Sequence, residues 1–133
     1  MTRRATGTFD VKLIPQTTDD AAEGSPLGRL VLEKVFHGDL EGKSRGEMLT
    51  ATGSVSGSAG YVAIERVDGA LHGRRGTFAL QHSGTMTRGA PQLAITVVPD
   101  SGSGELAGIA GQLTIEIDGG KHSDDFEYTI EGA

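Results

Sequence analysis

The chain has no cysteine and no tryptophan, and its aromatic residues are four Phe and two Tyr. Without cysteine there is no disulfide, no thiolate metal ligand and no cysteine nucleophile. So few aromatic rings leave little surface on which nucleic-acid bases could stack. The net charge is −6 and the basic residues are scattered among acidic ones, whereas nucleic-acid binders usually carry a basic stripe. We therefore expect no nucleic-acid partner.

Long hydrophobic runs are also absent. No stretch approaches the roughly 18 uncharged apolar residues that indicate a membrane span, and no apolar region follows Arg3 and Arg4 as a secretory signal would require. We expect no membrane partner and a cytoplasmic location, with which the lack of cysteine agrees. The 133 residues suit one domain, 1–133.

Glycine, in contrast, is abundant, with 21 residues in the chain, about twice the usual share. The glycines separate short runs rich in Val, Ile, Leu, Phe and Thr, which is typical of all-β proteins. Eight such runs predict strands at 6–16, 27–40, 42–55, 61–69, 75–86, 93–99, 112–119 and 122–132. Residues 17–26 have the composition of a flexible loop.

Eight strands joined by short turns predict either a closed up-and-down barrel or a sandwich. We favour an eight-stranded antiparallel β-barrel, because closure removes the exposed edges of an open sheet. Three stretches read G-x-L-x-G, beginning at Gly38, Gly69 and Gly104. We interpret their glycines as points where the barrel wall bends, with the glycines on one strand face and the leucine on the other.

The third of these stretches, SGSGELAGIAG at 101–111, has nearly the spacing of a dinucleotide-binding loop. Such a loop requires a helix after the glycines, whose N-terminal amides hold the pyrophosphate. The residues that follow, QLTIEIDG, alternate as a strand does. We therefore predict no nucleotide and no other cofactor.

Two longer stretches carry a family resemblance. GYVAIERVDGALHGRRGTFALQHSGTM at 60–86 and VVPDSGSGELAGIAGQLTIEIDGGKHSDDFEYTI at 97–130 resemble a widespread bacterial family of unknown function. Its members are small single-domain proteins similar in fold to the allene oxide cyclase-like β-barrels, and the resemblance implies that fold here. Relatives in that wider group include cyclases and isomerases that hold apolar substrates inside the barrel, which is an analogy of fold alone.

Glu65, His82 and His122 are the candidate catalytic residues. Glu65 shares a strand face with apolar residues, and an inward carboxyl in a barrel has a raised pKa unless it is paired, which suits a general base. We expect Arg74 or Arg75 on the next strand as its partner. Two alternatives stay open: a purely structural buried ion pair, or an outward Glu65.

The two histidines are placed by strand phase. His82 is in phase with Phe78, and His122 is in phase with Phe126 and Tyr128, so we expect both on inward faces. They could form an acid–base pair or bind a metal from different strands, although we predict no metal site. The alternative is that each lies at a strand end, hydrogen-bonded to a turn carbonyl or to water. Ligand contacts are expected from Tyr61, Arg74, Phe78 and Tyr128.

These expectations lead to three hypotheses of function. The first is cofactor-free acid–base catalysis, an isomerisation, cyclisation or elimination, on a small and mostly apolar molecule in the barrel cavity. The second is a non-catalytic barrel that binds a small hydrophobic ligand. The third is a structural barrel with a solid interior that forms homo-oligomers, since related barrels often associate. A cavity on which Glu65 and a histidine converge separates the first from the third.

Overall fold

The computed structural model describes residues 2–16 and 27–131, and these residues form eight strands. The strands are β1 (Arg3–Pro15), β2 (Leu27–Gly38), β3 (Leu40–Thr52), β4 (Ala59–Leu71), β5 (Arg74–Thr87), β6 (Ala90–Val97), β7 (Ile109–Asp118) and β8 (Lys121–Ile130). A three-residue 3₁₀ helix, Gly104–Leu106, precedes β7. The predicted flexible loop at 17–26 lies outside the described residues.

Each strand pairs antiparallel with the next one in the chain, and β1 pairs with β8, which closes the barrel. The β6–β7 contact is the shortest of these pairings and rests on Thr96 opposite Gln112. Alternate residues of each strand point into the barrel, as the period-two pattern of the sequence predicts. The prediction of an eight-stranded antiparallel barrel is therefore confirmed within the described residues.

The two ends of the barrel differ. At one end, which we call the open end, the connections among the described residues are the short turns at 53–58, 88–89 and 119–120. At the opposite, closed end, the chain between β6 and β7 folds across the barrel, and its 3₁₀ helix buries Leu106. Glu105 anchors this segment, because its Oε1 accepts a hydrogen bond of 3.2 Å from the backbone N–H of Arg75.

Apolar side chains fill the half of the barrel next to the closed end. Phe78 and Phe126 stack there with ring centroids 5.7 Å apart. The largest buried side chains of this closed half are Phe36, Leu40, Leu71, Phe78, Leu106, Phe126 and Tyr128. This packed half stabilises the fold through burial of apolar surface. Most of the buried charged side chains lie outside it, nearer the open end.

A polar chain of contacts ties the closed end together. The hydroxyl of Tyr128 hydrogen-bonds to Nδ1 of His72, and Nε2 of His72 lies 3.6 Å from Oδ2 of Asp39. The same Asp39 oxygen accepts the backbone N–H of Thr6 at 3.0 Å. Two hairpin turns and two strands are thereby joined around a buried tyrosine.

Our interpretation of the G-x-L-x-G stretches is wrong in one respect. Residues two apart in a strand share a face, so in β3 the buried Leu40 points inward together with Gly42. In the third copy the residues Gly104–Leu106 are a 3₁₀ helix and not a strand, and Gly104 has a φ of +62°. The glycines do mark close approaches: a Cβ on Gly42 would lie 2.4 Å from the carbonyl oxygen of Asp68.

Gly46 in β3 allows a test of how closely the backbones of β3 and β4 approach each other. It lies directly opposite Glu65 in β4, and a Cβ there would lie 2.0 Å from the carbonyl oxygen of Ile64. We predict that Gly46→Ala lowers the free energy of unfolding by about 1–3 kcal/mol, because backbone atoms must shift to admit the methyl group. Urea denaturation followed by circular dichroism measures the change.

Gly60→Ala is the matched control, because a Cβ on Gly60 in β4 would meet its nearest atom at 3.6 Å. That substitution should leave the free energy of unfolding within about 0.5 kcal/mol. Equal stability of the two variants would contradict the close approach at Gly46.

Candidate functional site

The half of the barrel interior next to the open end holds a cluster of buried polar side chains. These are Lys34, Ser44, Glu65, His82 and Asp124, each at most 6% exposed. Charged residues are almost never fully buried unless they are paired or have a function. The cluster therefore marks this half of the barrel as the candidate functional site.

Glu65 lies at the centre of the cluster and has no exposed surface. Its Oε1 accepts a hydrogen bond of 3.3 Å from Nζ of Lys34, which is also 3.0 Å from Oε2. Nε2 of His82 lies 3.5 Å from Oε2, an ion-pair distance at the limit of hydrogen bonding. The hydroxyl of Tyr61 lies 3.3 Å from Nδ1 of the same imidazole. We call this chain of contacts, Tyr61–His82–Glu65–Lys34, the relay.

The contacts of the relay shift the pKa values of two of its members, Glu65 and Tyr61. Burial alone would raise the pKa of Glu65, but the contacts with His82 and Lys34 outweigh it and hold that pKa below its ordinary value. Glu65 is therefore a carboxylate at neutral pH and a weak base. Burial, and then the negative charge of Glu65, raises the pKa of Tyr61. The phenol keeps its proton and can donate it in a hydrogen bond.

The expected partner of Glu65 is wrong, because Lys34 takes the place predicted for Arg74 or Arg75. Both arginines lie at the start of β5, at the closed end. Lys34 shares the inward face of β2 with Leu32 and Phe36, and its Nζ lies 4.9 Å from the centroid of the Phe9 ring. The alternation of Leu32, Lys34 and Phe36 was the sequence signal for an inward lysine.

Asp124 is the second interior group that sequence reasoning did not select. It is 4% exposed, and within the described part of the chain neither carboxyl oxygen has a hydrogen-bond partner. Burial raises its pKa to about 6, with smaller upward effects of Asp125 and Asp39 and a downward effect of Lys34. Asp125 points to the opposite face, where it pairs with Arg4, as the alternation of a strand requires.

A largely apolar pocket of about 450 Å³ opens at the end of the barrel beside the relay. The ring of Tyr61 forms part of its wall and packs against Gly84, where a Cβ would be 2.4 Å from the ring. Strands β3 to β6 and their turns supply the lining residues: Met48, Thr50, Ala51, Thr52, Ala59, Gly60, Tyr61, Gly84, Thr85, Met86, Pro91, Gln92 and Leu93. The pocket wall therefore contains the first member of the relay.

The structure brings Tyr61, Glu65 and His82 together. His122 is half-buried and packs against the ring of Phe9, with centroids 5.2 Å apart, on the β8 side of the interior.

The other predicted ligand contacts lie away from the pocket. Phe78 and Tyr128 belong to the closed half, where Phe78 stacks on Phe126, and Arg74 begins β5 at the closed end. In the described ranges, 2–16 and 27–131, no group of three or more acidic or histidine side chains could hold a metal ion. The same ranges contain no helix long and apolar enough to cross a membrane.

Comparison with known proteins gives a family without an assigned activity. A sequence profile of the family described as Protein of unknown function (DUF3224) matches residues 5–128. The crystal structure of a protein with unknown function from the DUF3224 family of Shewanella oneidensis MR-1 shares 48% identity and a TM-score of 0.92 with this chain. The match covers 98% of this chain and 99% of that one. No curated protein matches.

The raised pKa of Asp124 predicts a stability that depends on pH. Between about pH 4 and 6 the unfolded chain loses this proton while the folded chain keeps it, so this group makes stability fall as pH rises. Asp124→Asn removes the effect. Relative to wild type, the variant should gain up to about 3 kcal/mol between pH 4 and pH 7.5, since one pKa unit corresponds to about 1.4 kcal/mol. Urea unfolding at both pH values measures the gain.

Asp125→Asn serves as the control for that measurement. The hydrogen bond with Arg4 lowers the pKa of Asp125, so the contribution of this exposed pair is present at neutral pH and lost in acid. The control variant should therefore shift in the opposite direction. A difference between wild type and Asp124→Asn that does not change with pH contradicts the assignment.

The buried pair of Lys34 and Glu65 predicts strong coupling between the two residues. Lys34→Met leaves the Glu65 carboxylate buried without its cation, which should cost about 3–5 kcal/mol of unfolding free energy at pH 7. Adding Glu65→Gln should recover most of that loss, because the amide carries no charge. Denaturation of both single variants and the double variant measures the coupling, and additive losses would contradict it.

Proposed function

Because this chain belongs to the family described as Protein of unknown function (DUF3224), which assigns no activity, we propose a function from the site itself. The protein carries out cofactor-free acid–base catalysis on a small, mostly apolar molecule bound at the open end of the barrel. The observation that carries this proposal is the relay: a buried carboxylate, an imidazole and a phenol in contact, with the phenol in the wall of the apolar pocket.

The relay suits the donation of a proton or a hydrogen bond to a ligand oxygen. Nδ1 of His82 lies 3.3 Å from the hydroxyl oxygen of Tyr61 and donates to that oxygen when the ring nitrogen carries a hydrogen. The hydroxyl hydrogen of Tyr61 is thereby free to point into the pocket, 3.3 Å from the imidazole that supports it. A donor held in place in a water-poor pocket stabilises negative charge that develops on a ligand oxygen.

The lining of the pocket defines the ligand class. Within the described residues, none of the side chains around the 450 Å³ pocket is charged, and Met48, Met86 and Leu93 supply apolar surface. A neutral apolar molecule with one acceptor oxygen matches these walls. His122, half-buried on the β8 side, is a further proton-transfer group within this proposal.

A barrel that binds such a ligand without changing it is the second candidate, and the same pocket favours it. The two candidates differ in whether the ligand is chemically changed. Simple binding of a hydrocarbon would not need the relay.

We place the protein with the allene oxide cyclase-like barrels as part of this proposal, supported by the closed antiparallel wall with a pocket at one end. Association into homo-oligomers and a cytoplasmic location stay predictions.

Exchange of the α-protons of 2-tetralone, a neutral apolar ketone, tests the proposal. We expect the wild-type protein to accelerate their replacement by deuterium in D2O over the buffer rate, measured by proton NMR. Tyr61→Phe should slow this exchange by about 10- to 100-fold, because it removes the donor to the ketone oxygen. Tyr128→Phe removes the same hydroxyl from the closed half and should leave the rate unchanged. Binding of 2-tetralone without exchange would favour the non-catalytic barrel.

A further inference from the structure

Both methionines of the described residues, Met48 and Met86, lie in the wall of the pocket at the open end. The chain has three methionines and no cysteine, so thioethers are its only sulfur groups and no thiol competes with them for an oxidant. A methionine side chain is apolar and flexible, and oxidation to the sulfoxide makes it polar. The two methionines are therefore points at which the chemical character of the pocket wall can change.

Met86 is the more accessible of the two methionines. It lies near the end of β5, opposite Ala59 of β4 and Pro91 of β6, next to the residue pair that closes the turn at 88–89. Strand alternation puts it on the same face as the buried Gly84, yet Met86 is 40% exposed. An oxidant dissolved in water can therefore reach Met86 without entering the barrel.

Met48 lies deeper in the same pocket. Its partner on β4 is Ala63, which in turn lies opposite His82 of the relay. Ala63 is four residues farther along β4 from the open end than Ala59, the partner of Met86. Met48 is half-buried. The two thioethers thus line one pocket but differ in their access to water, which makes Met48 a matched control for Met86.

The direct neighbours of Met86 offer a sulfoxide no hydrogen bond through their side chains. Ala59 and Pro91 have no side-chain donor, and proline also lacks a backbone N–H. Among the described residues, none of the side chains around the pocket is charged. A ligand that covers a sulfoxide at Met86 would therefore remove water from its oxygen without replacing the lost hydrogen bonds, which weakens binding.

We propose that Met86 is an oxidation site and that hydroperoxides regulate the pocket by converting its thioether to the sulfoxide. This inference rests on the proposed function, because it concerns the ligand that the same pocket binds. The sulfur lone pair attacks the outer peroxide oxygen, so that an S–O bond forms while the O–O bond breaks. Sulfur loses two electrons and the peroxide gains them. The proton of the transferred oxygen passes to the departing oxygen, which leaves as water or an alcohol.

The modification can be reversed, which a regulatory role requires. Methionine sulfoxide reductases return the sulfoxide to the thioether, one enzyme for each of the two sulfoxide epimers. Oxidation of Met86 would therefore lower the occupancy of the pocket while peroxide is present, and reduction would restore it.

The test measures the dissociation constant of 2-tetralone by proton NMR titration, before and after treatment of the full chain with hydrogen peroxide. Peptide mapping by mass spectrometry follows the addition of one oxygen at each methionine. We expect Met86 to be oxidised several-fold faster than Met48. At a dose that leaves Met48 unmodified, the dissociation constant should rise at least about tenfold. Treatment with both reductases should restore the original value.

Met86→Leu and Met48→Leu are the matched variants, because leucine replaces the thioether with an apolar side chain of similar volume. Each variant is compared with its own untreated sample, so that any effect of the substitution on binding cancels. Peroxide should leave the dissociation constant of Met86→Leu at its untreated value. It should weaken binding to Met48→Leu as much as it weakens binding to the wild type.

The outcomes separate this inference from the proposed function. Binding of 2-tetralone that survives complete oxidation of Met86 overturns the inference and leaves the proposed function standing. Oxidation of Met48 ahead of Met86, or equal sensitivity of Met86→Leu and the wild type, does the same. Loss of the folded circular dichroism spectrum on oxidation also overturns it, because the effect would then be one of stability. Absence of binding by the untreated wild type overturns the proposed function and, with it, the role of Met86.

Discussion

A carboxylate with no exposed surface stays ionised inside a barrel only if a cation is buried with it, and the arrangement of the site depends on this constraint. Lys34 meets it: its ammonium lies 3.0 Å from Glu65 and 4.9 Å from the centroid of the Phe9 ring, whose face attracts a cation. With Glu65 held negative, His82 and Tyr61 line up behind it towards the pocket. Lys34 also favours the ionised form of Asp124, so one lysine influences both interior carboxyl groups.

The barrel remains stable with this polar cluster inside it because its closed half buries enough apolar side chains to offset the cost. The closed half buries Phe78, Leu106 and Tyr128 and is tied at its end through His72. Burial of such side chains contributes roughly 1.5–3 kcal/mol each. The open half contains unpaired buried oxygens that cost free energy, a pattern that natural proteins show at functional sites. The residues that stabilise this fold and the residues that could act on a ligand therefore lie in different layers of the same strands.

Strand phase was sufficient to predict the eight strands and the inward position of His82, because the side-chain period of a strand is fixed by its geometry. For Glu65 it left an outward orientation open, and only the closed barrel shows that this side chain is buried. The partner of Glu65 was not predictable in the same way. Lys34 lies two strands away from Glu65, and contact between them depends on register and strand tilt, which no local pattern contains. Strand alternation puts Asp124 on the face opposite Asp125, but the burial of Asp124 follows only from the closed barrel.

The charges of the interior also restrict what can enter it. Lys34 carries one positive charge, whereas Glu65 is a carboxylate and Asp124 becomes one above a pH of about 6. At neutral pH the two carboxylates thus exceed the one lysine, and interactions between charges are strong where water is excluded. An anionic ligand would be repelled from both walls, and a cationic one would compete with Lys34 for Glu65. A neutral molecule with one acceptor oxygen disturbs neither carboxylate, which is why we favour that ligand class.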